Sequence, residues 1–301
     1  MPEGADAVAP VEVVKREGDR IRIDVGGARD RYISRIGSDL RAGARVLGRG
    51  VRMEAAKIAA AASVGAANVA VYGRPRVAVM ATGDEIVDVA ETPGPGQIRN
   101  SNLPMMVALL GKLGCDVTSL GTISDEPEKI RAAIALGLEF DALFVSGGMS
   151  MGEYDYVPRI LRELGVDLKI TKLKIKPGKP FVFGTSGKSV VFGLPGNPVS
   201  AFVCTVRLAA RVLARLAGGA VMDRWQCGRL SSALKANGPR EFYQPVRLDW
   251  STSVDAIPMV ALTNYKGSSD IFTIANADGL LVRPADDPPQ AEGSLVRVFS
   301  I

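Results

Sequence analysis

Residues 141–152 read Asp141-Ala-Leu-Phe-Val-Ser-Gly-Gly-Met-Ser-Met-Gly152, an apolar run from Ala142 to Val145 that leads straight into a loop carrying three glycines. A short, continuous apolar run bounded by turn residues fits a parallel strand covered on both faces. Outward from it the same pattern repeats between Arg76 and about Gly219. Strands are expected at 77–81, 117–120, 142–145, 168–175, 181–183 and 190–192, and helices at 102–113, 126–138, 156–164 and 198–217. Strands alternating with helices imply right-handed crossovers, hence an α/β fold: a three-layer sandwich around a mostly parallel sheet. Ligands of such sheets sit beyond the carboxyl ends of the strands.

The flanks read differently. Residues 11–35 alternate apolar and polar with Gly26-Gly27 as a turn, so they suggest a β-hairpin; a helix over 53–64 stopped by Gly65 and a short strand at 68–72 follow. Beyond Val221, apolar segments at 245–249, 257–262, 271–274, 279–283 and 294–299 are spaced by glycine, proline and asparagine, which predicts a small β-barrel or sandwich without helices. The expected domains are therefore 1–74, a partial β-rich and helical region; 75–220, the α/β domain; and 221–301, the small β domain.

Composition narrows the chemistry. The chain has 301 residues, 47% hydrophobic and 23% charged, with 37 basic against 32 acidic residues dispersed along it. That balance suits a small anionic ligand and gives no nucleic-acid footprint. Histidine is absent, which removes histidine dyads and histidine-ligated metals. Cys115, Cys204 and Cys227 are too dispersed for a disulfide framework or zinc knot, and a reducing cytoplasm fits them. The N-terminus lacks the basic and apolar regions of a secretory leader, and the apolar stretch 59–71 is interrupted by Gly65 and Asn68, so no membrane span is expected.

Several loops carry candidate chemistry. The 146–152 loop either converges peptide N–H groups on an anion or is a tight strand-to-helix turn. Gly193-Leu-Pro-Gly-Asn-Pro198 ends a strand and opens a helix with a capping asparagine and proline, an arrangement that attracts oxyanions or simply starts a helix. Lys172, Lys174 and Lys176 alternate with Leu173 and Ile175, placing three ammonium groups on one strand face, as a ligand surface or an edge-strand guard. Lys176 and Lys179 bracket a Pro-Gly turn at a strand end. Asp84, Glu85, Asp125 and Asp155 fall in helix-initiating loops, suited to Mg²⁺ beside a phosphate, although Asp125 could equally cap the next helix. Arg207, Arg211 and Arg215 form a helical stripe read as a solvated face.

Taken together, Ala81-Thr82-Gly83-Asp84-Glu85-Ile86, Gly94-x-Gly96-Gln97-Ile98-x-x-Ser101-Asn102, Ser146-Gly147-Gly148-x-Ser150-x-Gly152-x-x-Asp155-Tyr156, Lys176-Pro177-Gly178-Lys179-Pro180 and Gly193-Leu-Pro-Gly-Asn-Pro-Val-Ser200 resemble the molybdopterin molybdenumtransferase family, MoeA and the gephyrin E domain. Weaker likenesses are Pro2-x-Gly4-Ala5-Asp6-Ala7-Val8, Arg35-x-Gly37-Ser38-Asp39 and the β-rich tail. The resemblance implies a MogA-like molybdopterin-binding fold and the final step of molybdenum cofactor biosynthesis: adenylylated molybdopterin binds with Mg²⁺, molybdate is inserted and AMP leaves. It implies metal or pyrophosphate handling by Asp125 and Asp155, catalytic participation of Lys176 and Lys179, and pterin or nucleotide contacts from Thr82, Glu85, Ser146, Gly147, Gly148, Ser150 and Gly152. Oxyanion contacts fall to Lys172, Lys176, Lys179 and Ser200, Pro195 and Pro198 shape their loop, and Asp39 lies near the partner's site in the family's homodimer. A molybdopterin-adenylylating enzyme is the implied supplier of substrate. Two departures stand out. Family members carry a further N-terminal segment, and Gln244 replaces a frequent arginine, weakening anion binding there. A non-catalytic pterin-binding or scaffold relative is the alternative; a molybdopterin adenylyltransferase is a third, opposed by the appended β domain.

Overall fold

The computed structural model describes residues 2–23, 28–149, 156–219, 223–251 and 256–301. The chain divides into two compact units, one ending at Val69 and the other spanning Ala70–Ile301. In the first, a 3-10 turn at Val11–Val13 precedes a hairpin of β1 (Val14–Glu17) and β2 (Arg20–Ile23), paired Val14 to Ile23. Its turn is Gly18-Asp19; the Gly26-Gly27 turn expected from sequence lies outside the described residues. Helix α1 (Ala55–Ser63) ends where Gly65 adopts a φ of +83°, a conformation that stops a helix without a Cβ penalty. The strand expected at 68–72 does not form.

The second unit begins with β3 (Arg76–Thr82), then the two-residue ribbon of β4 (Ile86–Val87) and β5 (Ile98–Arg99), α2 (Asn102–Lys112), β6 (Asp116–Ile123), α3 (Pro127–Gly137), β7 (Ala142–Ser146) and α4 (Tyr156–Glu163). Then come β8 (Asp167–Ile170), β9 (Ile175–Lys176), β10 (Val182–Ser186), β11 (Ser189–Leu194), α5 (Pro198–Cys204), a π-helical turn (Thr205–Ala209) and α6 (Ala210–Leu216). Six strands form one sheet in the order β6-β3-β7-β11-β10-β8, parallel from β6 to β11. β10 alone runs against the others, antiparallel to both β11 and β8, because Gly187-Lys188 is too short a link from β10 to β11 for a crossover. The sheet is therefore mixed.

Both faces are covered, as the apolar runs require. Val77, Val79 and Ala81 of β3 face α2 and the α5–α6 helix, packing with Met106, Leu110, Phe144, Phe192 and Leu213; Ala78 and Met80 face α3 and α4, packing with Ile130, Ile134, Ile160 and Leu161. The three-layer sandwich expected from sequence is present. Burial also silences two thiols, pushing Cys115 up to about 11 and Cys204 up to about 12, whereas Cys227 is exposed. A thiol reagent near pH 8 is expected to titrate Cys227 alone in the folded protein and all three cysteines after denaturation. Fast reaction of a second thiol in the native state would contradict the burial.

The remaining elements are β12 (Trp225–Leu230), β13 (Glu241–Asp249), β14 (Met259–Leu262), α7 (Ile271–Ala275), β15 (Gly279–Arg283) and β16 (Leu295–Ser300). The order β14-β12-β16-β15-β13 closes through β13–β14 into a five-stranded barrel around Leu230, Leu234, Val246, Val260, Leu281 and Val298. Residues 271–274, expected as a strand, are helical because Asp270 caps them, its Oδ1 accepting from Thr273 N at 3.2 Å. The expected strand over 168–175 is broken: β8 stays in the sheet, while β9 leaves it and pairs in parallel with Glu241 and Phe242 of the barrel. Lys172 and Lys174 consequently share no strand with Lys176. The arginine stripe is also not simply solvated. Arg207, in the π turn, lies 3.4 Å from an Asp223 oxygen and stacks over Trp225 and Phe299, riveting the helix to the barrel; Arg211 bonds the same carboxylate. No helix among the described residues is long and apolar enough to cross a membrane.

Candidate functional site

From β3 the chain crosses through α2 to β6 on one side, then returns through α3 to β7 on the other. The connection changes direction between β3 and β7, so a crevice opens beyond their carboxyl ends. Thr82 closes β3 and Ser146 closes β7, with Ala81 directly opposite Ser146; both end residues are buried. Gly147 and Gly148 follow with φ of +97° and +63°. A Cβ at Gly147 would lie 2.5 Å from Thr82 O, and one at Gly148 would lie 3.0 Å from Thr82 Oγ1, so only glycine lets this loop ride over the threonine.

The third wall comes from β11. Gly147 N donates to Leu194 O at 3.1 Å, and a Cβ on Gly196 would lie 3.8 Å from Gly147 Cα, so the Pro195–Asn197 turn stands against the glycine loop. Asn102 joins the two: its Nδ2 donates to Ser146 Oγ at 2.8 Å and to Gly196 O at 2.7 Å. Two polar atoms remain buried there without a hydrogen bond, Thr82 Oγ1 and Asn102 Oδ1. Asn100 lies two residues ahead of α2, accepting from Leu103 N at 3.0 Å and donating to Thr122 Oγ1 at 2.8 Å. Neither asparagine was singled out in the sequence as a site residue. The signals were two cap-forming side chains at the start of an apolar helix and the place of Asn102 in the Gly94–Asn102 motif, neither of which names the residues that Asn102 joins, 44 and 94 positions away.

On the β6 side, Asp84 Oδ1 accepts from Asp125 N at 3.0 Å, bringing two exposed acidic residues together at the ends of β3 and β6. Glu126, not Asp125, occupies the cap position of α3. The exposed Glu85 carboxylate folds over Gly83, where a Cβ would meet Oε2 at 2.5 Å. Ser150, Gly152 and Asp155 lie outside the described residues.

The lysines belong to the segment between β8 and β10. Leu173 N donates to Lys179 O at 2.9 Å, and Gly178, with φ of +110°, packs so closely on α5 that a Cβ would meet Cys204 Sγ at 2.7 Å. Lys176 Nζ sits 4.9 Å from the Phe242 ring centre, a cation–π contact with the barrel. No carboxylate forms an ion pair with Lys172, Lys176 or Lys179 among the described residues, so three ammonium groups keep their charge available. Pro195 is buried and Pro198 is the first residue of α5. The helix start is not an open anion site throughout, because Val199 N donates to Ser268 O of the barrel at 3.0 Å. Ser200 is buried in the same turn. Asp39 belongs to the first unit, where Ser38 Oγ donates to it at 3.3 Å.

Comparison with known proteins agrees with this architecture. Residues 1–65 match the MoeA N-terminal region (domain I and II), 78–215 a probable molybdopterin binding domain and 228–301 the MoeA C-terminal region (domain IV). The molybdopterin molybdenumtransferase of Haemophilus influenzae is 39% identical over 220 residues, covering 72% of this chain and 54% of the relative. That of Synechocystis sp. is 30% identical over 292 residues, covering 94% of this chain and 71% of the relative. A crystal structure of the molybdopterin biosynthesis moeA protein from Pyrococcus horikoshii OT3 superposes with a TM-score of 0.81 at 25% identity, covering all of this chain and 73% of that one. The match to the Haemophilus relative spans little more than half of that protein's length. By its three matched regions and these relatives, the chain belongs to the molybdopterin molybdenumtransferase, or MoeA, family.

Proposed function

We propose that the chain binds adenylylated molybdopterin in the β3/β7 crevice and serves the insertion of molybdenum from molybdate, with release of AMP. The observation that carries this reading is the convergence of a buried threonine, a glycine loop that tolerates no Cβ and an asparagine-held second loop at the sheet's switch point. Glycine loops let the backbone approach a phosphorylated ligand closely. The uncompensated ammonium groups of Lys172, Lys176 and Lys179 supply the positive charge that molybdate and a pyrophosphate both demand. Thr82, Glu85, Ser146, Gly147, Gly148, Ser150 and Gly152 border the substrate, Pro195 and Pro198 fix the turn beside it, and Ser200 supports the oxyanion end. Asp39 completes the site from a second copy in a homodimer. The supplier is a molybdopterin-adenylylating enzyme, and a reducing cytoplasm suits the free cysteines.

Mg²⁺ fits the donor set. Asp84 takes a backbone N–H from Asp125, so two acidic residues neighbour one another at adjacent strand ends, with Asp155 as a third acid of the proposed set, and no cluster of three metal-binding side chains forms a cage among the described residues. Such a site suits a cation held by one or two carboxylates plus substrate phosphate. When bound, the ion would draw charge off the phosphate that is cleaved. The chain's own part is to hold the acids at adjacent strand ends and to keep the phosphates oriented.

Replacing Asp125 with asparagine is expected to lower molybdate-dependent AMP release about 100-fold with the helices intact, because a ligand oxygen loses its charge. AMP would be quantified chromatographically, with circular dichroism as the folding control. An unchanged rate would remove Asp125 from the site, and a wild-type chain that releases no AMP would overturn the assigned activity.

A further inference from the structure

The geometry points to Asn102 as a positioning residue that sets the distance between the two glycine loops, acting on the substrate without touching it. This rests on the reading of the crevice as the substrate site. Asn102 is the first residue of α2 and is 6% exposed. Its amide carries two N–H donors, and each goes to a different loop: 2.8 Å to Ser146 Oγ, 2.7 Å to Gly196 O. The amide orientation follows from the second bond, since a flipped side chain would press Oδ1 against the Gly196 carbonyl.

No other side chain of this size does both jobs. Aspartate has no donor when ionised, serine and threonine have one, and glutamine is a methylene too long. The arrangement leaves Asn102 Oδ1 buried without a partner; Thr82 Oγ1, which lies beneath Gly147 and Gly148, is a second buried atom in the same state. Leaving such atoms unpaired is costly for the fold. The nitrogen side of the amide is thus committed to holding the loops in register at the cost of its oxygen side.

The test uses the full chain with Asn102→Ala, Asn102→Asp and Ser146→Ala. In AMP release from adenylylated molybdopterin, Asn102→Ala is expected to lose about 100-fold in kcat/KM, the scale of an ångström-sized misplacement. Asn102→Asp keeps the shape but not the donors, so near pH 8 it should be as poor as alanine. As the pH falls towards about 6 the aspartate variant should recover about tenfold, because a buried carboxyl takes up a proton at a raised pKa and regains one O–H donor. Asn102→Ala should show no such recovery.

Hydrogen exchange supplies a readout that needs no ligand. Asn102→Ala should speed exchange at least tenfold at residues 147–149 and 196–197 together, whereas Ser146→Ala should affect the first loop alone. Aspartate matching wild type at every pH, or unchanged exchange in both loops of the alanine variant, would overturn the inference. If alanine does not fold, the isosteric aspartate variant carries the same comparison. If the wild-type chain releases no AMP, the substrate reading fails, and the exchange data still decide whether Asn102 holds the loops.

Discussion

Gly147→Ala is expected to lower molybdate-dependent AMP release roughly a thousandfold. Two costs combine. At a φ of +97° an L side chain is strained, by about 1–3 kcal/mol. The added Cβ would also meet Thr82 O at 2.5 Å and Thr82 Oγ1 at 3.1 Å, both at the fixed end of a buried strand, so the loop must move instead. A shift of about 1 Å at a site built on peptide groups is worth about 100-fold by itself. Gly114→Ala is the control: φ there is +88°, but nothing lies within 4 Å of the added atom. It pays the conformational penalty without the collision and should retain AMP release within about threefold. Equal losses in the two variants would show that backbone strain, not the meeting with Thr82, is responsible.

Phe192→Ala is expected to destabilise the protein by about 3–5 kcal/mol in urea unfolding. The ring is 1% exposed on β11 and lies 4.6 Å from Phe144, 5.4 Å from Phe183 and 6.4 Å from Phe181, centre to centre. Its removal forfeits the buried area, opens a cavity beneath the α5–α6 helix and breaks three tilted ring contacts, each worth about 0.5–1.5 kcal/mol beyond area. The midpoint should fall while the denaturant slope stays constant. A loss below about 1 kcal/mol would mean that the neighbouring rings close the gap.

Much of the α/β layer was legible because its signals are local. Apolar runs such as Ala142–Val145, glycines after strand ends and Pro198 at a helix start each announce their conformation within a few residues. What escaped was decided at long range. The run 168–175 alternates like one strand, yet its two halves pair with different sheets, and nothing in the alternation names a partner. Residues 271–274 are the local exception: they are apolar enough for a strand, and the Asp270 carboxylate, accepting from both the backbone and the hydroxyl of Thr273, tips them to helix. Arg207 reads as one of three helical arginines, and only the arrival of Trp225 and Phe299 from the barrel distinguishes it. The same limit applies to the site. Thr82, Ser146 and the glycines stood out by type and place, whereas Asn102 matters through bonds to residues 44 and 94 positions away.

The excursion of β9 bears on how this protein could be recombined with its relatives. The main chain visits the barrel at Ile175–Lys176, goes back to complete the sheet with β10 and β11, and only later supplies the other barrel strands. A chimaera spliced after α6 would import a foreign β13 while keeping the native lysine turn, so Lys176 would face a ring it did not evolve beside. A faithful transplant has to carry 171–180 along with 221–301, as two discontinuous pieces of one heritable module.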